Sequence, residues 1–464
     1  LAMTDYYKQS HYKMYPKGTS KVYSNMTARK SRMEGVNHIV FFGLQYFIKE
    51  YLLTQWKANF FDKPWDEVQS KYLRLINNTL GKDAVSVSHL KQLHDLGYLP
   101  LKIKAVPEGS RVPIRVPFMT VTNTVDHAYW LVNFLETIWS CTLWQACTSA
   151  TIADVFRTTL EKWADKTCED RSFVQWQGHD FSMRGMSSLE SACISGAAHL
   201  LSFTGTDTVP AIEFLEEYYG ADVEQELIGT SVPATEHSVA SFNIAYSLRL
   251  YEDWRREFID RTPPGVPLCD ISRQLIKEYA FLKWYITECV PSGIASYVAD
   301  TYNIFSVVSE ILPRLKDEIM ARDGKLVIRP DSFWTNPEDC LCGYDGQHDK
   351  MELLDQAEKD VVRKGLIKSL WDIFGGKTNS KGYRELDPHI GAIYGDSISI
   401  ERANTICSRL EKAGFASNNV VFGIGSYTYQ HNTRDTFGFA VKATYGEVKG
   451  EPFELSKDPI SDDG

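Results

Sequence analysis

The second half of this 464-residue chain repeats one pattern, and few folds accommodate that repetition. A short apolar run is followed by a polar loop carrying Gly or Asp, then by an amphipathic stretch that often stops at Gly. HLLSF leads into TGTD and a helical run ending near Gly220, and ELIGTSVP leads into ATEHSVASFNIAYSL. GIASYVAD precedes NIFSVVSEILPRL, KLVIRPDS runs into a longer segment, HIGAIYGD precedes SIERANTICSRLEKAG, and NVVFGIGS closes the series. Strands that alternate with helices run parallel, because each parallel neighbour needs a crossover about as long as a helix. Five or six such units favour a closed α/β barrel, although a doubly wound open sheet satisfies the same periodicity.

In a barrel the loops after the strands form the active face, so polar residues at strand ends are candidates for chemistry. Asp207, His237, Asp300, Arg329 with Asp331, Asp396 and Gly425 occupy that position in successive units. One Asp before a helix is more often a cap or a turn residue. Six such positions together weigh toward a shared site.

The first 128 or so residues follow another rule. KVYSNMTARKSR, LKIKAVPEGSRVPIRVPFMTVTNT and the late FGFAVKATYGEVKGEPFELSKDP alternate as half-buried antiparallel strands do. The expected organisation is a mixed α+β sheet domain from residues 1–128 plus 432–464, and an α/β barrel domain over 129–431. A Trp-rich run, DHAYWLVNFLETIWSCTLWQ, begins a long helix. A charge-rich helical insertion with solvated faces is expected around 333–387, with no chemistry assigned to it.

Hydrophobic residues make up 43% of the chain, so a large core is within reach, and a net charge of -10 disfavours a nucleic-acid or acidic-membrane surface. No run is long and apolar enough to span a membrane. The start, LAMTDYYKQSHYKMYP, lacks the apolar core of a signal peptide, so cytoplasmic residence is the expectation. Nine scattered cysteines read as reduced thiols. Cys340 and Cys342 with His348 are a weak zinc pattern.

The strand-end set combines the carboxylates of Asp207, Asp300, Asp331 and Asp396 with Arg184, Arg329 and Arg434 and with loops carrying Gly395, Gly423 and Gly425. Glycines let backbone N–H groups approach phosphate oxygens, and Arg matches those oxygens bidentately. The carboxylates suit ribose hydroxyls or Mg²⁺. No phosphate-binding GxxxxGK[ST] loop, GxGxxG fingerprint or GxSxG elbow occurs at a fitting junction. The residues alone indicate a barrel enzyme acting on a phosphorylated, ribosylated substrate.

HDFSMRGMSSLESA, FTGTDTV, SVPATEHS, VIRPDS with YGDSISI, and FGIGSYTYQHNTRD follow one another along the chain. Together with TDYYKQSHYKMYPKGTSKVYS at the start, they closely resemble nicotinamide phosphoribosyltransferases of the bacterial or phage kind, in the type II phosphoribosyltransferase family. The chief departure is the long stretch between RPDS and HIGAIYGD, shorter in the familiar animal members. The resemblance implies an irregular parallel α/β barrel with a second antiparallel sheet domain, and a homodimer with active sites at the interface. It implies transfer of phosphoribose from phosphoribosyl pyrophosphate to nicotinamide, Mg²⁺ held mainly by substrate phosphates, and ATP hydrolysis coupled through a phosphorylated histidine. A family residue just beyond KDP has no counterpart before SDDG, and position 1 is not Met, so a chain trimmed at both ends is expected.

Residue roles follow from the same resemblance. Phe181 and the partner chain's Tyr7 would sandwich the pyridine ring, Arg184 would lie near the carboxamide and phosphate, and Asp207 would accept from the carboxamide N–H₂ and repel a carboxylate. His237, Asp300, Arg329 and Asp331 form the implied catalytic set, with His237 the phosphorylated residue and Glu236 or Asp300 its orienting partner. Gly395 and Asp396 face the ribose, and Gly425 and Ser426 bind its 5′-phosphate; Ser426 stands where the family often has a second glycine. Asp5, Arg29, Arg434, Lys442 and Lys457 match positions around phosphoribose and pyrophosphate, some from across the dimer interface. Rival readings are a nicotinate phosphoribosyltransferase, a non-catalytic binder of NAD precursors, and a barrel phosphatase or aldolase.

Overall fold

GIASYVAD and KLVIRPDS form seven-residue strands, Ser292–Val298 and Asp323–Arg329, which pair in parallel from Ser292 with Asp323 to Val298 with Arg329. Their β-branched and aromatic residues suit a pleated, buried surface. Ile390–Tyr394, Val420–Ile424, Gly178–Asp180 and Gly205–Thr206 extend the sheet in that order, every pair parallel. This computed structural model describes residues 1–246, 251–261 and 273–457.

The two edges of the sheet meet through residues 230–235. Gly205 bridges Thr230 and Ala234 bridges Ser296, both in parallel, with Thr230 N donating to Thr204 O at 2.8 Å and Thr235 N to Ser296 O at 3.0 Å. The ring therefore closes through two bridges where a regular barrel has a strand. ELIGTSVP, expected as a strand, is not one; Pro233 has no N–H to give a ladder. HLLSF, also expected as a strand, is the last residue of a helix, His199, and the turn that follows it. Ser188 caps Leu189–His199 by accepting from Ser191 N at 3.1 Å, and the small residues of that helix let it approach its neighbour closely. A Cβ on Gly196 would lie 2.8 Å from that of Ala211. The strand Gly178–Asp180 went unread because three residues cannot display a two-residue period.

The second sheet is antiparallel, in the order Glu451–Glu454, Phe439–Val448, Thr19–Ala28, Pro117–Asn123, Leu101–Ala105, so both chain ends contribute to it. Val22, Ser24, Met26 and Ala28 alternate into its core as the period-two reading requires. The 32-residue helix Glu136–Thr167 is shared. Trp139, Leu143 and Cys147 pack with the antiparallel sheet, while Ile152, Phe156 and Leu160 pack with the barrel. The expected boundary near residue 128 falls just before this helix.

Within 333–387 the helices Pro337–Cys342, Gln356–Lys364 and Leu366–Phe374 sink Leu341, Val362, Leu366, Leu370 and Phe374 into the barrel core. A hairpin, Gly376–Thr378 with Arg384–Leu386, ends the segment. The eight described cysteines are free. Burial pushes the Cys342 thiol up to about 12 and Cys340 higher still, and no three His, Cys, Asp or Glu groups converge on a metal position among the described residues. The zinc pattern thus finds no support. No described helix is long and apolar enough to cross a membrane.

Candidate active site

The C-terminal ends of the parallel strands open onto a cavity of about 1720 Å³. Phe181, Arg184, Asp207, Arg329, Asp331, Gly395, Asp396, Gly425 and Ser426 all line it. Residues from five strand ends far apart in sequence thus face one space, as strand-end positions in a barrel should.

Phe181 and Asp207 are fixed by a buried acid between them. Asp180, fully buried, accepts from Ser182 N at 2.9 Å and from Thr208 Oγ1 at 2.7 Å, which ties together the loops after two neighbouring strands. Phe181 N donates to Ile424 O at 2.9 Å. The Phe181 ring lies over two glycines: a Cβ on Gly423 would come within 2.5 Å of its Cδ2, and one on Gly395 within 3.3 Å of its Cε2. No larger residue fits beneath the ring at Gly423.

Asp207 Oδ1 accepts from His179 Nε2 at 2.8 Å and from Ser231 Oγ at 2.6 Å. Burial alone would raise this carboxyl, but the His179 and Ser231 hydrogen bonds and the Arg329 charge hold it below the usual carboxylate range. Asp207 is therefore an anion at neutral pH. Its Oδ2 has no hydrogen-bond donor among the described residues.

His237 opens the helix His237–Tyr246. Its Nε2 lies 3.1 Å from Asp300 Oδ1 and its Nδ1 4.0 Å from Asp331 Oδ2. Asp300 Oδ2 in turn accepts from Asp331 N at 3.1 Å, Ser332 N at 2.8 Å and Ser332 Oγ at 2.7 Å. Asp300 is thus the orienting partner, and Glu236 is not, because its carboxylate bonds Ser238 Oγ. The His237 ring is half exposed beside the cavity rather than in its lining. Arg329 donates from Nη2 to Thr235 O at 2.6 Å and lies 3.7 Å from Asp331, while its buried Nε has no acceptor among the described residues.

The phosphate-type loops show two local signatures. Ser397 adopts a left-handed φ of 57°, rare outside glycine, and its hydroxyl donates to Asp396 Oδ2 at 2.8 Å. Ser426 sits over Gly185, where any Cβ would collide with the Ser426 hydroxyl. Arg184 projects from the turn Met183–Gly185, exposed and without an acidic partner among the described residues, so it does not act as a loop-holding salt bridge here.

The remaining sequence candidates lie elsewhere on the same chain. Tyr7 is 60% exposed near the N-terminus, and the nearby Asp5 accepts from Thr137 Oγ1 at 2.6 Å. Arg29 donates from Nε to Gly438 O at 3.0 Å, Arg434 lies 3.5 Å from Asp435, and Lys442 and Lys457 are exposed. None of the six lines the cavity. Sequence reasoning missed His179, Ser231 and Asp180. His179 and Asp180 stand in the quoted HDFSMRG run, where a His-Asp pair before an aromatic at a strand end was the available signal.

Comparison with known proteins places this geometry. The profile of the nicotinate phosphoribosyltransferase (NAPRTase) family matches residues 176–464, and that of the nicotinamide phosphoribosyltransferase N-terminal domain matches residues 1–73. The nicotinamide phosphoribosyltransferase of Acinetobacter baylyi is 45% identical over 476 residues, spanning 100% of this chain and 85% of that one. That of Mycoplasma pneumoniae is 31% identical over 480 residues, with 100% and 92% covered. The crystal structure of human nicotinic acid phosphoribosyltransferase shares the fold, with a TM-score of 0.55 at 14% identity over 97% of this chain and 75% of that one. The chain therefore belongs to the nicotinate phosphoribosyltransferase family and, within it, to the nicotinamide phosphoribosyltransferases.

Proposed function

We propose that the protein transfers phosphoribose from phosphoribosyl pyrophosphate to the ring nitrogen of nicotinamide, releasing pyrophosphate and forming nicotinamide mononucleotide for NAD salvage. The observation that carries the choice of ring is Asp207, an anion in the cavity wall with one oxygen turned to no protein donor. A neutral carboxamide brings an N–H to that oxygen, whereas the carboxylate of nicotinic acid brings a second negative charge.

In this reading the pyridine stacks on Phe181, and Arg184 receives the carboxamide oxygen side and the ribose phosphate. The ring nitrogen's lone pair attacks the anomeric carbon as the bond to pyrophosphate breaks. The ring becomes a pyridinium, and the leaving group departs with the bonding electrons. Charge developing on the sugar and the leaving oxygens is offset by fixed groups, Arg329 with Asp331 and Asp396 near the ribose, and Gly425 and Ser426 N–H groups at the 5′-phosphate. Asp331 and Asp396 stand at adjacent strand ends, Asp331 Oδ1 lying 3.2 Å from where a Gly395 Cβ would be. Two carboxylates on one rim of the cavity fit a Mg²⁺ ion held mainly by substrate phosphates. Bound there, Mg²⁺ would supply charge neutralisation on the leaving pyrophosphate.

His237, oriented by Asp300, is the phosphoryl acceptor from ATP in this proposal. Its half-exposed ring with a carboxylate on Nε2 supports that role, since Nδ1, 4.0 Å from Asp331 Oδ2, makes no hydrogen bond among the described residues and is left as the nucleophile. The functional unit is a homodimer in which the partner chain's Tyr7 covers the open side of the pyridine. Arg29, Arg434, Lys442 and Lys457, some of them from across the interface, reach the phosphates.

The deciding assay supplies phosphoribosyl pyrophosphate and Mg²⁺ with nicotinamide or nicotinic acid, each with and without ATP. Mononucleotide from nicotinamide is expected, and preferential use of nicotinic acid would overturn the reading. Asp207→Asn should lower the amide-to-acid ratio of kcat/KM by about tenfold or more; an unchanged ratio would remove Asp207 from the specificity argument.

A further inference from the structure

The cavity does not end beneath the substrate positions. Lys325, Val327 and Arg329, alternate residues of the strand Asp323–Arg329, all line it, so their side chains share its inner face. Four residues at about 3.3 Å each set Lys325 about 13 Å below Arg329, toward the end of the barrel where its strands begin. Barrels of this kind usually fill their interior with bulky side chains. Here Gly205, Ser296 and Gly391 line the cavity from other strands and leave it open. A Cβ on Gly391 would lie 3.2 Å from Lys325 Cδ, so that glycine gives the lysine stem its room.

The Lys325 amine makes no hydrogen bond or ion pair among the described residues. Burial pushes it down from the usual lysine range, and the charge of Asp387 opposes that shift. The nearby acids already have partners. Asp387 Oδ1 accepts from His389 N at 2.9 Å and lies 2.7 Å from His389 Nδ1, while Glu385 pairs with Lys377 at 3.3 Å and accepts from Asn379 Nδ2 at 2.8 Å. Around the amine the walls are apolar. Ile294 is paired with Lys325 on the neighbouring strand, and Phe173, Trp176, Leu386 and Pro388 line the same lower part of the cavity.

We propose that this lower chamber is a second ligand site, which takes a small aromatic monocarboxylate with its carboxylate on Lys325 Nζ and its ring against the apolar walls. One unpaired cation matches one negative charge, and aromatic and aliphatic walls match a flat ring better than a compact inorganic ion. A carboxylate on the amine also restores the charged form that burial disfavours. The two ends of the cavity thus favour opposite chemistry. Asp207 at the rim presents a negative charge, and Lys325 below presents a positive one.

Benzoate is the probe, because it carries the ring and the carboxylate but no ring nitrogen to be ribosylated. Calorimetric titration of the full chain, with saturating pyrophosphate present to fill phosphate positions at the rim, should show a single benzoate site per chain. Acetate brings the same charge without the ring and should bind about tenfold more weakly or worse. Lys325→Met keeps an unbranched stem without the charge and should weaken benzoate by about tenfold or more, whereas Lys325→Arg should retain it. No benzoate binding to the wild type, equal binding to Lys325→Met, displacement by pyrophosphate, or acetate binding as tightly as benzoate would each overturn the proposal. Should Lys325→Met fail to fold, the wild type still decides. Benzoate should slow acetylation of Lys325 by acetic anhydride, mapped by mass spectrometry, and leave the exposed Lys102 reacting at its former rate; an unprotected Lys325 would sink the site. None of these readouts involves transfer, so their failure leaves the nicotinamide reading standing.

Discussion

Beneath Phe181 the absence of a side chain is as specific as the ring above it. Gly423 has ordinary backbone angles, so its requirement is space: a Cβ at 2.5 Å from Phe181 Cδ2 forces the ring to shift. Gly423→Ala should raise KM for nicotinamide about tenfold more than KM for phosphoribosyl pyrophosphate and lower the melting temperature, because the new Cβ would also lie 2.8 Å from Gly395 Cα; equal changes in both KM values would show a collapsed cavity instead. A second residue-scale prediction concerns stability. Glu278 is 2% exposed, and burial, opposed by the Tyr297 hydroxyl at 3.0 Å, pushes its carboxyl from 4.5 up to about 7. The folded state then binds the proton that the unfolded chain releases, so stability falls as pH rises from about 4.5 to about 7 and stays flat above. The loss is on the order of 3 kcal/mol. Glu278→Gln, which keeps an acceptor for Tyr297, should be more stable than wild type at pH 8 and lose that advantage near pH 4.5. Denaturant midpoints across that range are the check.

At the scale of elements, the strand ends were legible because their sequence context was regular. VIRPDS and YGDSIS each sit where an apolar run stops, and the structure brings Arg329, Asp331 and Asp396 to one rim. Elements read wrongly were those whose cause is tertiary. HLLSF has strand-like hydrophobicity, but the helix capped at Ser188 and packed closely at Gly196 runs up to its His199, so the rest of the run is the turn that ends that helix. Likewise, the closing stave at residues 230–235 is held by bridges to two distant strands, which no local pattern announces. The insertion's charged faces were visible; its anchoring was not. Glu358 accepts from Asn303 Nδ2 at 2.8 Å and bonds Ser306 Oγ, so a helix of the insertion holds the loop three residues after Asp300. That loop orients His237, and the histidine should matter to one function only. His237→Ala is expected to abolish stimulation by ATP and retain basal transfer, measured as product formed with and without the nucleotide; undiminished stimulation would assign the phosphoryl acceptor elsewhere.

For the whole molecule, the proposed ring stack needs two faces, and one chain brings only Phe181 to the cavity. Phe181 lines the cavity, whereas Tyr7 is 60% exposed and outside the lining, as are the basic residues Arg29, Arg434 and Lys442. In the proposed symmetric dimer, the same surface of each chain would lie against the other's rim and supply two such sites. Composition and motif spacing could not announce such an arrangement, since a residue given to another chain would leave no trace in its own neighbours. Subunit mixing tests it directly. Phe181→Ala and Tyr7→Ala homodimers should each be nearly inactive, because every site lacks one face of the stack. In a heterodimer of the two, one site carries both substitutions and the other carries neither. Random reassortment of equal amounts makes about half the dimers mixed. Mixing should therefore restore about one quarter of wild-type activity. Sites completed within one chain predict no recovery, because each chain would remain defective whichever partner it met.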